Sequence, residues 1–168
     1  MMGETVQPES LVARLEAVRE RLAALAASPP RSGLTSPDPK TSERWDWGQV
    51  WAHLGEFPGY WMRQIKAVAD HEGPDSVPFG RVKTDPGRIA AIEADRNRPT
   101  SDLMKALDGQ IKELLRLLSG LPEDAWGKRG VHSTLGVMNM ARIVEEFVVG
   151  HLEDHAAQLH ELASPLGD

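Results

Sequence analysis

Four stretches of the chain place apolar residues at alternating spacings of three and four, the period of one buried face of an α-helix. The first runs from Pro8 to Ala27, with Leu11, Leu15, Val18, Leu22 and Leu25 on its stripe. The proline-rich segment SPPRSGLTSPDPK ends it. The second runs from Asp46 to Asp70 and carries Val50, Leu54, Phe57, Trp61, Ile65 and Val68, with Pro58 predicting a local kink. The third runs from Ser101 to Ser119, with Thr100, Ser101 and Asp102 as capping candidates and Gly120 as its stop. The fourth runs from Leu135 to Ala163, capped by Ser133 or Thr134, and its stripe reads Met140, Val144, Phe147, His151, His155, Gln158 and Leu162. No stretch sustains period-two alternation, so strands are not expected.

The connection between the second and third helices is about thirty residues long, against the 2–8 usual between antiparallel neighbours in a bundle. Pro74, Pro78, Pro86 and Pro99 punctuate it, and a short helical piece near Arg88–Asp95 fits inside it. The pattern predicts an all-α fold: a four-helix bundle with a long crossover between helices 2 and 3, as a single domain over residues 1–168.

Composition narrows the function classes. Lys plus Arg number 19 against 25 Asp plus Glu, a net charge of −6, which argues against a phosphate-backbone binder and sets the expectation of no nucleic-acid partner. No apolar run reaches the roughly 18 residues of a membrane span, and no secretory signal pattern opens the chain. A soluble cytoplasmic protein with no membrane partner is the expectation. Cysteine is absent, which excludes thiolate metal ligands and a nucleophilic thiol of the chain's own. Any sulfur chemistry must borrow its sulfur from a small molecule.

Of the six histidines, His151 and His155 stand at i, i+4 in VVGHLEDHAAQL. That spacing puts both rings on one helix face, about 5–6 Å apart at Cβ, where they could share one metal ion. Alone, the pair reads equally as two core-edge histidines satisfied by hydrogen bonds. His53 changes the balance, because it projects from the flank of the second helix's stripe, three residues after Val50. Three imidazoles plus a water is the open form of a zinc-type site. The other reading of His53 is a half-buried histidine among Trp51, Tyr60 and Trp61. His160 and His71 read as exposed residues near helix ends. His132 reads as a capping or exposed residue that could also border a pocket.

Glu56, three residues after His53, is the candidate catalytic residue. It could orient His53, act as base on a bound water, or be an ordinary surface glutamate. Glu153 and Asp154 read as a solvated face. Trp45, Trp47, Trp51 and Trp61 crowd around His53. Trp61 lies on the buried stripe, while Trp45, Trp47 and Tyr60 are candidate lining for a ligand pocket.

With WDWGQVWAHLGEFPGYW on the second helix and VVGHLEDHAAQLHEL on the fourth, the sequence resembles the DinB/YfiT-like metalloprotein superfamily. The length and the long crossover fit it as well, and the resemblance extends to the N-terminal bundle of mycothiol-dependent maleylpyruvate isomerase. It implies a divalent metal, zinc or nickel, held by one histidine of the second helix and an HxxxH pair of the fourth, here His53, His151 and His155. It further implies a low-molecular-weight thiol of the mycothiol or bacillithiol type and an electrophilic substrate. The activity would be that of a thiol-dependent S-transferase or detoxification enzyme. Two alternatives stand beside it: a non-catalytic metal or small-molecule binding protein, and a metal-dependent hydrolase with Glu56 as base. A homodimer is compatible with the resemblance, with Trp45 or Trp47 as interface anchors.

Overall fold

The computed structural model describes residues 6–29, 32–39 and 41–163. Helix α1 (Pro8–Ala26) buries Leu11, Leu15, Val18, Leu22 and Leu25, the stripe its spacing predicts. Pro8 opens it at a position whose N–H has no intrahelical partner in any case. Helix α2 (Trp47–Asp70) is opened by a reciprocal cap: Asp46 Oδ1 accepts from the Gln49 N–H at 2.8 Å, and Gln49 Oε1 accepts from the Asp46 N–H at 2.9 Å. The helix continues through Pro58 to Asp70. Pro58 offers no N–H to the preceding turn and its ring crowds it. Gln110 Nε2, reaching from α4 (Thr100–Gly120), donates to the Gly55 carbonyl in that turn at 2.9 Å.

The crossover has structure of its own. It carries a strand, β1 (Val77–Phe79), and a helix, α3 (Pro86–Asp95), whose first turn is capped by the Asp85 carboxylate. After α4, a 3-10 turn (Glu123–Gly127) leads to β2 (Arg129–His132) and β3 (Gly136–Asn139). The sheet order is β1-β2-β3, with β1 parallel to β2 and β2 antiparallel to β3. The expectation of no strands is therefore corrected. Strands of three and four residues are too short to display alternation, and Pro78 sits in one of them, tolerated because β1 is an edge. Gly136, at φ +77°, makes the tight turn of the β2–β3 hairpin.

That hairpin consumes residues assigned by periodicity to the fourth helix, which begins at Met140 instead of Leu135. Its cap is the Asn139 side chain, which accepts from the Arg142 N–H at 2.9 Å, in place of Ser133 or Thr134. Likewise α4 has no side-chain cap, because its N-cap is Pro99, which has no side-chain acceptor; the Thr100 hydroxyl, already in the helix, accepts from Trp47 Nε1 at 3.0 Å. From Met140 the chain runs on as α5 (Met140–Val144), a π-helical turn (Glu145–Val149) and α6 (Gly150–Ala163).

The π turn shifts the buried stripe by one residue. Before it, Met140, Ile143 and Val144 are fully buried; Val148 and Val149 are within it, and Leu152, Ala156 and Leu159 after it. The predicted stripe through Phe147 and His151 is thus corrected: both lie half-buried at the flank of the core line. In the helical core, α2 packs against α3, α4 and α6, and α1 against α4 and α6. Arg14 of α1 reinforces the last contact by pairing with Glu145 and Glu153. Among the described residues no helix is long and apolar enough to cross a membrane.

Candidate metal centre

His53 sits two turns into α2, where the capping box at Asp46 fixes the helix start and the burial of Val50, Leu54 and Phe57 fixes its rotation. His151 and His155 come from the first turns of α6. These three are brought together: each offers one ring nitrogen, and the three nitrogens lie within 4.8 Å of one another. His53 Nε2 is 2.9 Å from His151 Nε2, which is 3.1 Å from His155 Nε2. His53 and His155 are almost fully buried, while His151 is half-buried.

The partners of the opposite nitrogens fix the tautomers. His53 Nδ1 lies 3.1 Å from Glu56 Oε2, and a carboxylate only accepts, so Nδ1 carries the proton. His155 Nδ1 lies 2.7 Å from Gln158 Oε1 and donates to it in the same way. Both Nε2 atoms therefore present lone pairs toward His151 Nε2. A neutral His151 can donate to at most one of them, so at least one buried lone pair is left facing a nitrogen with no donor for it. Protonation does not relieve this. Burial is the largest cause holding all three rings below the usual histidine range, His155 at about 4, with mutual repulsion adding to it at His53 and His151. A cation placed among the three lone pairs does, and three neutral nitrogen donors suit a divalent transition-metal ion.

Glu56 is tied down on both sides. Its Oε1 accepts from the Arg81 guanidinium, and Arg81 also lies over the Tyr60 ring at 4.2 Å. Burial pushes the Glu56 carboxyl up, opposed by Arg81. Trp45 stacks on His155 with ring centroids 5.8 Å apart and meets the His53 ring edge-on at 5.0 Å. The Arg88 guanidinium covers the Trp45 ring at 5.2 Å while donating to the Lys83 carbonyl at 2.7 Å. Sequence reasoning missed Arg81, Arg88 and Gln158. The first two sit on the crossover, whose path no periodicity fixes; Gln158 repeats the i, i+3 spacing of His53 and Glu56.

The remaining candidates are placed as follows. Tyr60 is half-buried under Arg81. Trp47 is buried edge-on to Trp51 with its Nε1 on Thr100, so it joins α2 to the start of α4. Trp45 and Trp47 are 8% and 4% exposed, which corrects their assignment as dimer anchors: burial within the chain leaves no ring surface for a partner. His132 is also corrected, being buried at the end of β2. Its Nδ1 accepts from the Thr134 and Leu135 N–H groups at 3.1 and 3.2 Å, closing the hairpin turn. His160 is exposed, and His71 donates to the Asp75 carbonyl at 2.8 Å. Asp154 is exposed, whereas Glu153 is held by Arg14.

A sequence model of the DinB superfamily matches residues 14–159 of the chain. No curated protein matches it. Among solved structures, it is similar to YfiT from Bacillus subtilis, described as a probable metal-dependent hydrolase with an unusual four-helix bundle topology. The TM-score is 0.71 at 18% identity, over 97% of this chain and 90% of that one. Mycothiol-dependent maleylpyruvate isomerase matches with TM-score 0.67 at 13% identity, over 91% of this chain and 60% of that protein. The colibactin self-resistance protein ClbS, in complex with double-stranded DNA, matches with TM-score 0.69 at 12% identity, over 98% of this chain and all of that one. At these identities the structural likeness establishes the fold alone.

Proposed function

Given that the chain belongs to the DinB superfamily, we propose that it holds a divalent ion, zinc or nickel, on His53, His151 and His155, and uses it in thiol-dependent S-transfer to an electrophilic substrate. The observation that carries the metal reading is the convergence of three Nε2 atoms, two of them with lone pairs directed inward by Glu56 and Gln158. A divalent ion bound there supplies the positive charge that favours a small-molecule thiol as its thiolate, or a water as hydroxide.

The chain's own residues do the rest. Three rings kept neutral by burial are ready to donate at neutral pH without first losing a proton. Glu56 orients His53 and raises its donor strength. With one oxygen on His53 and the other on Arg81, it is not free to serve as the base. Trp45 walls the centre on the His155 side, and Tyr60 with Arg81 borders Glu56. The absence of cysteine is compatible with a sulfur brought by a small molecule, and the fold shared with mycothiol-dependent maleylpyruvate isomerase supports a thiol of the mycothiol or bacillithiol type.

Hydrolysis is the second reading, favoured by the likeness to YfiT. The two separate cleanly in assay. S-transfer predicts consumption of thiol and electrophile together, falling to background in His53→Ala. Turnover of esters or amides without added thiol assigns hydrolysis instead. Metal binding with turnover in neither assay leaves a binding protein. Nucleic acid is not a partner in this reading, given the net charge of −6. Retardation of duplex DNA at physiological salt would contradict that.

A further inference from the structure

The last helix changes register immediately before the two histidines it supplies. Within the π turn the Gly150 N–H bonds back five residues, to the Glu145 carbonyl. A Cβ on Gly150 would lie 2.7 Å from that oxygen, too close for any other residue to fit without displacement. Phe147, in the middle of the turn, is seated between two rings. It stacks on Trp61 with centroids 4.4 Å apart and on His132 at 4.9 Å.

The extra residue has a rotational consequence. Continued at the ordinary period from Met140, the core line would pass through positions 147 and 151. With the insertion it passes through Val148 and Leu152, both fully buried. Successive residues of a helix are about 100° apart, so the turn moves His151 by about that angle, from the core line to the flank where His53 meets it. The helix on either side is locked by buried Ile143 and Val144 before the turn and by Leu152 and Ala156 after it. Any relaxation of the turn must therefore appear as rotation of one locked segment against the other.

We propose that the π turn, permitted by Gly150 and held by the Phe147 stack, is the positioning device that aims His151 and His155 at His53. Single π turns inside α-helices are frequent at functional sites. The inference rests on the reading of the three histidines as ligands. Gly150 and Phe147 act through the histidines, as positioning residues.

The test titrates cobalt(II) into the full-length protein, following its visible d–d absorption, for wild type, Gly150→Ala and Phe147→Ala. Gly109→Ala is the control, because its Cβ meets open space on α4. Far-UV circular dichroism establishes that each variant is folded. Wild type and the control bind cobalt identically. Gly150→Ala binds about tenfold or more weakly, the scale on which disturbed support of metal ligands is felt, and its absorption bands shift because the ligand geometry has changed. A merely structural role would lower the melting temperature and leave the bands of the loaded site alone. Wild-type protein that takes up no cobalt overturns the ligand reading itself. Wild type that binds, beside a folded Gly150→Ala with the same affinity and spectrum, overturns only the positioning role. Should Gly150→Ala not fold, Phe147→Ala decides: it adds no atom to the turn, and an unchanged affinity and spectrum overturns the proposal.

Discussion

His53 and His155 each carry their hydrogen-bond acceptor three residues downstream, Glu56 and Gln158, on the same helical face. This pairing makes the charge of Glu56 the most direct handle on the centre. Glu56→Gln keeps an acceptor for His53 but removes the anion facing it, and metal affinity falls about 10–100-fold in competition with a chromophoric chelator. An unchanged affinity would reduce Glu56 to a partner of Arg81. The buried neutral rings also set a pH dependence. Unfolded histidine takes up its proton near pH 6.5, whereas folded His155 does so at about 4 and His53 and His151 are likewise depressed. The unfolded chain binds more protons in that window, so stability of the metal-free protein is full above about pH 6.5 and falls as pH drops toward about 4. Urea midpoints at pH 7.5 and 5 measure it, and His155→Gln flattens the difference. The pairing of His151 with His155 was legible in the sequence because i, i+4 spacing puts two rings on one helix face, and the fold brings His53 to them. Arg81 and Arg88 were not, because they reach the centre from a connection whose course depends on tertiary packing.

The helices themselves show where periodicity informs and where it fails. The stripes of α1 and α2 appear in the fold as read, since each is a long amphipathic segment whose burial outweighs local preferences. The small sheet was invisible because its strands are held by pairing in three dimensions and are too short to leave a pattern. The π turn was invisible for another reason: spacings of three and four absorb one inserted residue without breaking the rhythm, so the stripe through Phe147 and His151 looked continuous. Caps were not legible, because each depends on where the preceding loop delivers the chain. Asp46 with Gln49 forms the full box at the start of α2, and Asp46 also receives Arg96 Nη2 at 2.7 Å. Asp46→Ala therefore costs about 1 kcal/mol, up to about 2, in chemical denaturation. A loss below a few tenths would show that packing alone sets the start of α2 and the position of His53.

At the scale of the whole molecule, the centre joins elements that are far apart in sequence. His53 belongs to α2, the histidine pair to α6, and Glu56 is anchored by the crossover through Arg81. An ion bound there cross-links α2 to α6, so it stabilises the native state by mass action, about 2.7 kcal/mol at a free concentration 100-fold above its dissociation constant. Thermal melting with added zinc or nickel rises accordingly in wild type and stays flat in the His151→Ala/His155→Ala double variant. The central claim, that these three histidines hold a metal, is met most directly by elemental analysis. Plasma mass spectrometry is applied to protein purified without a nickel column, beside the double variant. Near-stoichiometric divalent metal is expected in wild type and none in the variant. Metal-free wild type that also fails to take up added zinc, nickel or manganese would contradict the claim and return the three histidines to the core.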